Sequence, residues 1–185
     1  MTGTPAASPA DPASPANFLP LARVRVNAGA STLGTITDLR PRLGSPYHAE
    51  VYRNAALSIA NGFAFVTIAY DSLETSGDPN GNFNTGTGVY TCPLSGLYRV
   101  TAYALFSAGG TGTIGLSISK NGGTDSKRIG AGYNTANIGT SGSGKIRCAS
   151  GDTLAVQVAQ STASNPAALF TGSTFLWATF ELVGP

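Results

Sequence analysis

Residues 96–106 read GLYRVTAYALF, an uninterrupted run with no proline and a single charge. Side chains of an extended strand alternate between its two faces, so Tyr98, Val100, Ala102, Ala104 and Phe106 share one side. Leu97, Arg99, Thr101, Tyr103 and Leu105 share the other. One side must be core. The second is too apolar to be freely solvated, and because monomers rarely leave contiguous apolar surface bare, it suits a subunit interface. The C-terminal run TFLWATFELV, residues 174–183, repeats the situation: Phe175, Trp177, Thr179 and Glu181 alternate with Leu176, Ala178, Phe180 and Leu182. The subunit-interface candidates are Tyr103, Leu105, Phe175 and Trp177, each of which could instead be core.

Outward from these runs, the chain beyond residue 50 is built of short apolar or alternating stretches between Gly, Asn and Asp clusters, the pattern of a sandwich or barrel. It predicts strands over 54–59, 63–73, 88–93, 97–107, 113–119, 127–132, 143–148, 153–160 and 174–183, and no helix of useful length. Asp78-Pro79-Asn80-Gly81 is a turn in which Pro fixes φ and Asn or Gly accepts positive φ, and Lys120-Asn121-Gly122-Gly123 is a hairpin-type turn. GSGK at 142–145 lacks the spacing and the following helix of a phosphate loop.

Residues 1–17, MTGTPAASPADPASPAN, carry four prolines among Ala and Ser, a composition that favours extended conformations over a core. FLPLARVRVNAGASTLGTITDLRPRL follows, with a short strand around Leu21, Val24 and Val26, a Gly-containing turn and a second segment ending before Pro41. Alone it is too small to fold, so residues 1–47 are expected to be an arm that orders against a larger assembly, and 48–185 the folded domain. Arg23, Arg25, Arg40, Arg42 and Arg53 make the arm region locally basic. They are either solvated charges or anchors that dock onto an acidic partner surface.

Charged residues make up only 11% of the 185-residue chain and the net charge is +2, with 24 glycines. The surface is therefore neutral and hydroxyl-rich, and neither nucleic acid nor anionic membrane is expected as a partner, since both need clustered cations. Cys92 and Cys148 match no zinc pattern; they read as two small buried hydrophobes, or as a disulfide if their strands are neighbours. The start of the chain has neither a basic lead nor an apolar run, so no secretory signal is expected, and no stretch approaches about 20 apolar residues.

The stretch IAYDSLETSGDPNGNFNTGTGVYTCPLSGLYRV, residues 68–100, resembles the globular domain of complement component q, within the tumour-necrosis-factor-like jelly-roll superfamily. The matching residues are Tyr70-Asp71, Phe83, Gly88, Tyr90, Thr91-Cys92-Pro93, Gly96 and Tyr98. Lys120-Asn121-Gly122, Gly151-Asp152 and Ser173-Thr174-Phe175 follow in the family's order. The resemblance spans about residues 54–183 and departs at Leu176-Trp177, where the family has a small pair ending in Gly, and at Ala102, where it has an aromatic. It implies an all-β, ten-stranded antiparallel jelly roll of two five-stranded sheets, assembled as a homotrimer about a threefold axis. The segment PLARVRVNAGASTLGTITDLRP looks like linkers of structural proteins in tailed bacteriophages, ahead of a fibre or receptor-binding domain.

Chemistry is sparse. The single histidine, His48, falls in a Pro/Gly-flanked connector expected outside the sandwich, and no nucleophile elbow accompanies it. No catalytic residues, cofactor or metal are expected, although Asp71, Asp78, Asn80, Asn82 and Asn84 are oxygen donors that calcium could use and that turn formation explains equally. Phe83, Asn84, Tyr133 and Asn134 are candidate ligand-loop residues, because sugars stack on rings and hydrogen-bond to amides; residues 133–137 also read as an ordinary polar loop. The expectation is a non-enzymatic virion protein, assembled in the host cytoplasm. Its arm would bind other virion proteins and its trimer a host surface glycan or protein. The competing expectations are a head-decoration protein and a polysaccharide depolymerase.

Overall fold

The computed structural model describes residues 22–24, 36–38, 47–107, 111–134, 138–162 and 167–185. Two compact units divide the chain, Met1–Gly44 and Ser45–Pro185. The first contributes an antiparallel pair, β1 (Ala22–Val24) and β2 (Ile36–Asp38), with Arg23 opposite Thr37. Arg25, Arg40 and Arg42 lie outside the described residues.

The second unit is entirely β among the described residues. Its strands are β3 (His48–Tyr52), β4 (Leu57–Ile59), β5 (Val66–Thr67), β6 (Ser72–Leu73), β7 (Phe83–Asn84), β8 (Val89–Thr91) and β9 (Gly96–Ser107). They continue as β10 (Gly112–Lys120), β11 (Lys127–Asn134), β12 (Ile138–Cys148), β13 (Thr153–Thr162), β14 (Ala167–Leu169) and β15 (Leu176–Gly184). One sheet runs β6-β3-β15-β9-β12, the other β7-β8-β13-β10-β11. These ten strands are the jelly-roll frame. Short β14 with β4 extends the first sheet along β9, and β5 extends the second along β13.

The face of β9 that carries Tyr98, Val100, Ala102, Ala104 and Phe106 is fully buried, as its alternation predicts. It meets Ile114, Leu116 and Ile118 of β10 and Leu154, Val156 and Val158 of β13 in one core. Phe180 of β15 is the hub, its ring stacked on Tyr90 at 5.4 Å and tilted against Phe83 at 5.6 Å. Burying a side chain of this size contributes roughly 1.5–3 kcal/mol. Ala102, which stands where the resembling family has an aromatic, is fully buried opposite Ala178 of β15.

Several expectations are corrected. Residues 48–52 form a strand rather than a connector: His48 pairs opposite Glu181 of β15, because Ala49 and Val51 fit beneath the edge of the sheet. The run 63–73 splits into β5 and β6, with Ile68 and Tyr70 sent into the core by the non-strand segment between them. β12 begins at residue 138, not 143, despite a sequence of Gly and Ser that disfavours strands. Eleven register pairs with β9 hold it, and the small residues are required where β11 crosses it: a Cβ on Gly142 would collide with the Ile129 carbonyl.

Candidate interaction surface

The outward face of the β6-β3-β15-β9-β12 sheet is set by strand register. Tyr52, Trp177, Tyr103 and Ser141 fall side by side across it, the next row is Glu50, Thr179, Thr101 and Ser143, and the third is His48, Glu181, Arg99 and Lys145. The face thus changes from aromatic through hydroxyl-bearing to charged along the strands. Tyr103 and Trp177 are stacked, centroids 6.3 Å apart at 25°, and both are half-buried in the single subunit. Thr101 and Ser143 share a 2.9 Å hydrogen bond in the middle row, and Arg99 approaches Glu181 at 3.9 Å in the third.

All four interface candidates gather at the aromatic end. Leu105 donates its backbone N–H to the Phe175 carbonyl at 3.0 Å, and the Phe175 ring, 40% exposed, packs on Phe170 at 5.7 Å. None of the four is core. Tyr52 and Glu50 of β3 belong to the same surface, and expecting a connector at His48 hides them, whereas Thr179 lies on the face that alternation assigns to it. The inward Ala49 and Val51 of HAEVY were the available signal. Beside Trp177 a shallow cavity of about 490 Å³ is bordered by Glu50, Glu74, Thr75 and Ser173.

The ligand-loop candidates do not form one site. Phe83 is a core residue, 8% exposed, because pairing of β7 with β8 turns its ring onto Tyr70 and Phe180. A ring so placed cannot stack on a ligand. The Asn84 amide oxygen accepts the N–H groups of Gly86 at 2.9 Å and Thr87 at 3.2 Å, making a turn. Tyr133 is 70% exposed near the end of β11 and remains accessible, with Asn134 next to it opposite Gly112. Arg53 of the basic group is structural: its guanidinium donates to the Ala69 carbonyl and to that of Ala56.

The carboxylates are occupied by backbone. Asp78 accepts from the N–H groups of Asn82 at 3.0 Å and Phe83 at 2.8 Å. Asp71 accepts from those of Asn54 and Ala55, each at 2.8 Å; burial pushes this carboxyl up, but these bonds, the Ser72 hydroxyl and nearby Arg53 hold it below its ordinary value. Asp152 is drawn down to about 2 by the Asn121 amide, the Lys120 ammonium at 2.8 Å and the Ala149 N–H. Among the described residues no three of His, Cys, Asp and Glu come together as a metal site. Cys92 and Cys148 are free and buried; burial pushes both thiols up, and the Cys148 thiol raises that of Cys92 further, whereas the hydrogen bond with Cys92 acts to lower that of Cys148.

No family model and no curated protein matches the chain. Solved structures do. It is similar to a tumour necrosis factor, Eiger, from S. frugiperda (11% identity, TM-score 0.52, 74% of this chain and 92% of that one). It is similar to murine APRIL (12% identity, TM-score 0.51, 74% and 98%). The globular domain of zebrafish complement 1qA matches at 21% identity and a TM-score of 0.49, over 74% and 96%. The likeness to Eiger and APRIL establishes the fold: the described residues of the unit Ser45–Pro185 form a jelly roll of the tumour-necrosis-factor-like kind.

Proposed function

We propose that this chain is a homotrimeric, non-enzymatic binding protein that meets its own copies through the outward face of the β6-β3-β15-β9-β12 sheet. The observation that carries this is the stacked Tyr103–Trp177 pair, which lies with Leu105 and Phe175 on a face that no segment described here covers. Aromatic side chains are the residues that anchor interfaces, where a half-buried ring gains most from losing its remaining contact with water. Three copies joined there would present three equivalent outer surfaces, so weak individual contacts with a ligand add through multivalency.

In its finer form the proposal is a tailed-bacteriophage virion protein, assembled in the host cytoplasm, whose trimer projects from the particle and binds the host surface. Its support is the sequence of residues 20–41, which looks like phage structural linkers, and the basic residues Arg23, Arg25, Arg40 and Arg42, suited to docking on an acidic virion component. Tyr133 is then the accessible aromatic for a host glycan or protein.

The test is a pull-down of the full chain on intact bacterial cells and, in parallel, on emptied virus heads. Retention by cells with none on heads is expected. Binding to heads alone would replace the appendage by head decoration, and release of sugar fragments from the cell wall would make the protein a depolymerase.

A further inference from the structure

The interaction face is not only apolar at one end; its two flanks carry opposite charge. On the β3 side stand the exposed carboxylates of Glu50 and Glu74, which border the cavity beside Trp177. On the β12 side stand the exposed side chains of Lys145 and Arg147, opposite Arg99 and Leu97 of β9. Lys127 and Lys120 reinforce that flank, donating to the backbone carbonyls of Lys145 at 2.6 Å and Arg147 at 3.0 Å.

Three strand spacings separate β3 from β12, roughly 14 Å at about 4.8 Å each. That exceeds the screening length of about 8 Å at physiological salt, so the two flanks do little for each other inside one subunit. Between subunits the position changes. In a ring each copy uses one flank against the previous copy and the other against the next, so every contact brings unlike surfaces together. Partial desolvation at such a contact strengthens the attraction, and a wrong register sets like charges against each other.

We propose that Glu50 and Glu74 of one copy receive Lys145 and Arg147 of the next, with the cavity beside Trp177 as the socket for a basic side chain. Within one subunit Lys145 is one row further along the strands than Glu50, about 7 Å, so if the copies stand level about the axis this is the offset a lysine side chain has to span. Trp177 borders the same socket, and an indole face attracts a cation held over it. This inference rests on the trimer proposed above and adds to it the polarity of the ring: which flank meets which.

The experiment compares the full-length protein with three variants by sedimentation equilibrium. One carries Glu50→Lys with Glu74→Lys, the second Lys145→Glu with Arg147→Glu, and the third all four changes. Each two-residue variant is expected to weaken self-association about 100-fold or more, because like charges then face each other. The fourfold swap, in which every contact is again between unlike charges, is expected to recover an affinity within about tenfold of the starting protein. All four side chains are exposed, so circular-dichroism melts taken at dilutions where every variant is dissociated should stay together and separate assembly from folding. The dissociation constant of the unaltered protein should also rise as salt is raised. Trimers unaffected by either reversal, or a swap that recovers nothing, would overturn the pairing while leaving the trimer standing. A starting protein that never self-associates would overturn the trimer itself.

Discussion

The two sheets of the jelly roll share one core and finish their outer faces differently. Over the β7-β8-β13-β10-β11 sheet the chain covers itself. Phe63 and Phe65, edge to face at 5.7 Å, lie over Gly115 of β10, and the Arg128 guanidinium sits over both rings at 5.5 and 5.1 Å. Beneath and beside them the outward Ser117, Ser119 and Gln157 are buried, with Gln157 accepting the Asp125 N–H at 3.0 Å. Over the other sheet Trp177, Tyr103 and Leu105 keep part of their surface in water. The cover comes from the stretch between β4 and β6, which runs along β13 with Phe63 and Ile68 donating to the carbonyls of Gln160 and Val156. Such a loop makes a face independent of partners. A face without one depends on association to bury its rings, which is why the open sheet, rather than the closed one, is assigned the interface.

That contrast can be broken at four points. Deepest is the common core: Phe180→Ala removes the ring between Tyr90 and Phe83 and should cost about 3–5 kcal/mol in urea unfolding. The loss should appear in the isolated subunit as well as in the assembly. Next is the open face. Tyr103→Ala and Trp177→Ala should each weaken association by about 2–4 kcal/mol, while the melting of the dissociated subunit barely moves. A large fall in subunit stability with unchanged mass would show that these rings serve the fold.

The closed face gives the mirror result. A Cβ on Gly115 would stand 3.2 Å from the tips of both Phe63 and Phe65, so Gly115→Val must lift the rings and should cost about 1–3 kcal/mol of subunit stability. The oligomer mass should not change, and a change would mean that this face too meets a partner. The smallest effect belongs to the polar end shared by both sheets, where Asp152 ties the turn after β12 to Lys120 and Asn121. Its carboxyl ionises at about 2 in the folded protein against an ordinary 3.8, so its stabilisation is complete above about pH 4 and is lost as pH falls towards 2. Asp71 and Asp125 shift in the same direction. Urea midpoints should therefore drop between pH 4 and pH 2, less steeply in Asp152→Asn.

Alternation made much of this readable in advance. Tyr98 to Phe106 and Leu176 to Leu182 point inward in the residues that the period of two selects, and the Asn121-Gly122 turn has the positive φ values, 52° and 74°, that its composition calls for. What stayed hidden depended on partners distant in the chain. β12 is a strand because β9 offers a full edge and because its glycines admit β11, neither of which local propensity reports. Phe83 sits in an Asn/Gly-rich stretch that looks like an exposed loop, yet two residues of pairing with β8 send the ring inward. β3 has only two small inward residues, Ala49 and Val51, too little alternation to declare a strand until β15 is beside it. The partly exposed Tyr103, Leu105, Phe175 and Trp177 were legible as an excess of apolar side chains on a second face; the charge difference between the flanks of that face needed the strand order.

The most direct test of the whole account is the mass of the purified full-length chain by light scattering over a dilution series. A species near three times 18.7 kDa that persists into the low micromolar range is the predicted result. A monodisperse mass of 18.7 kDa at every concentration would contradict it and leave the open sheet face without the partner its rings require.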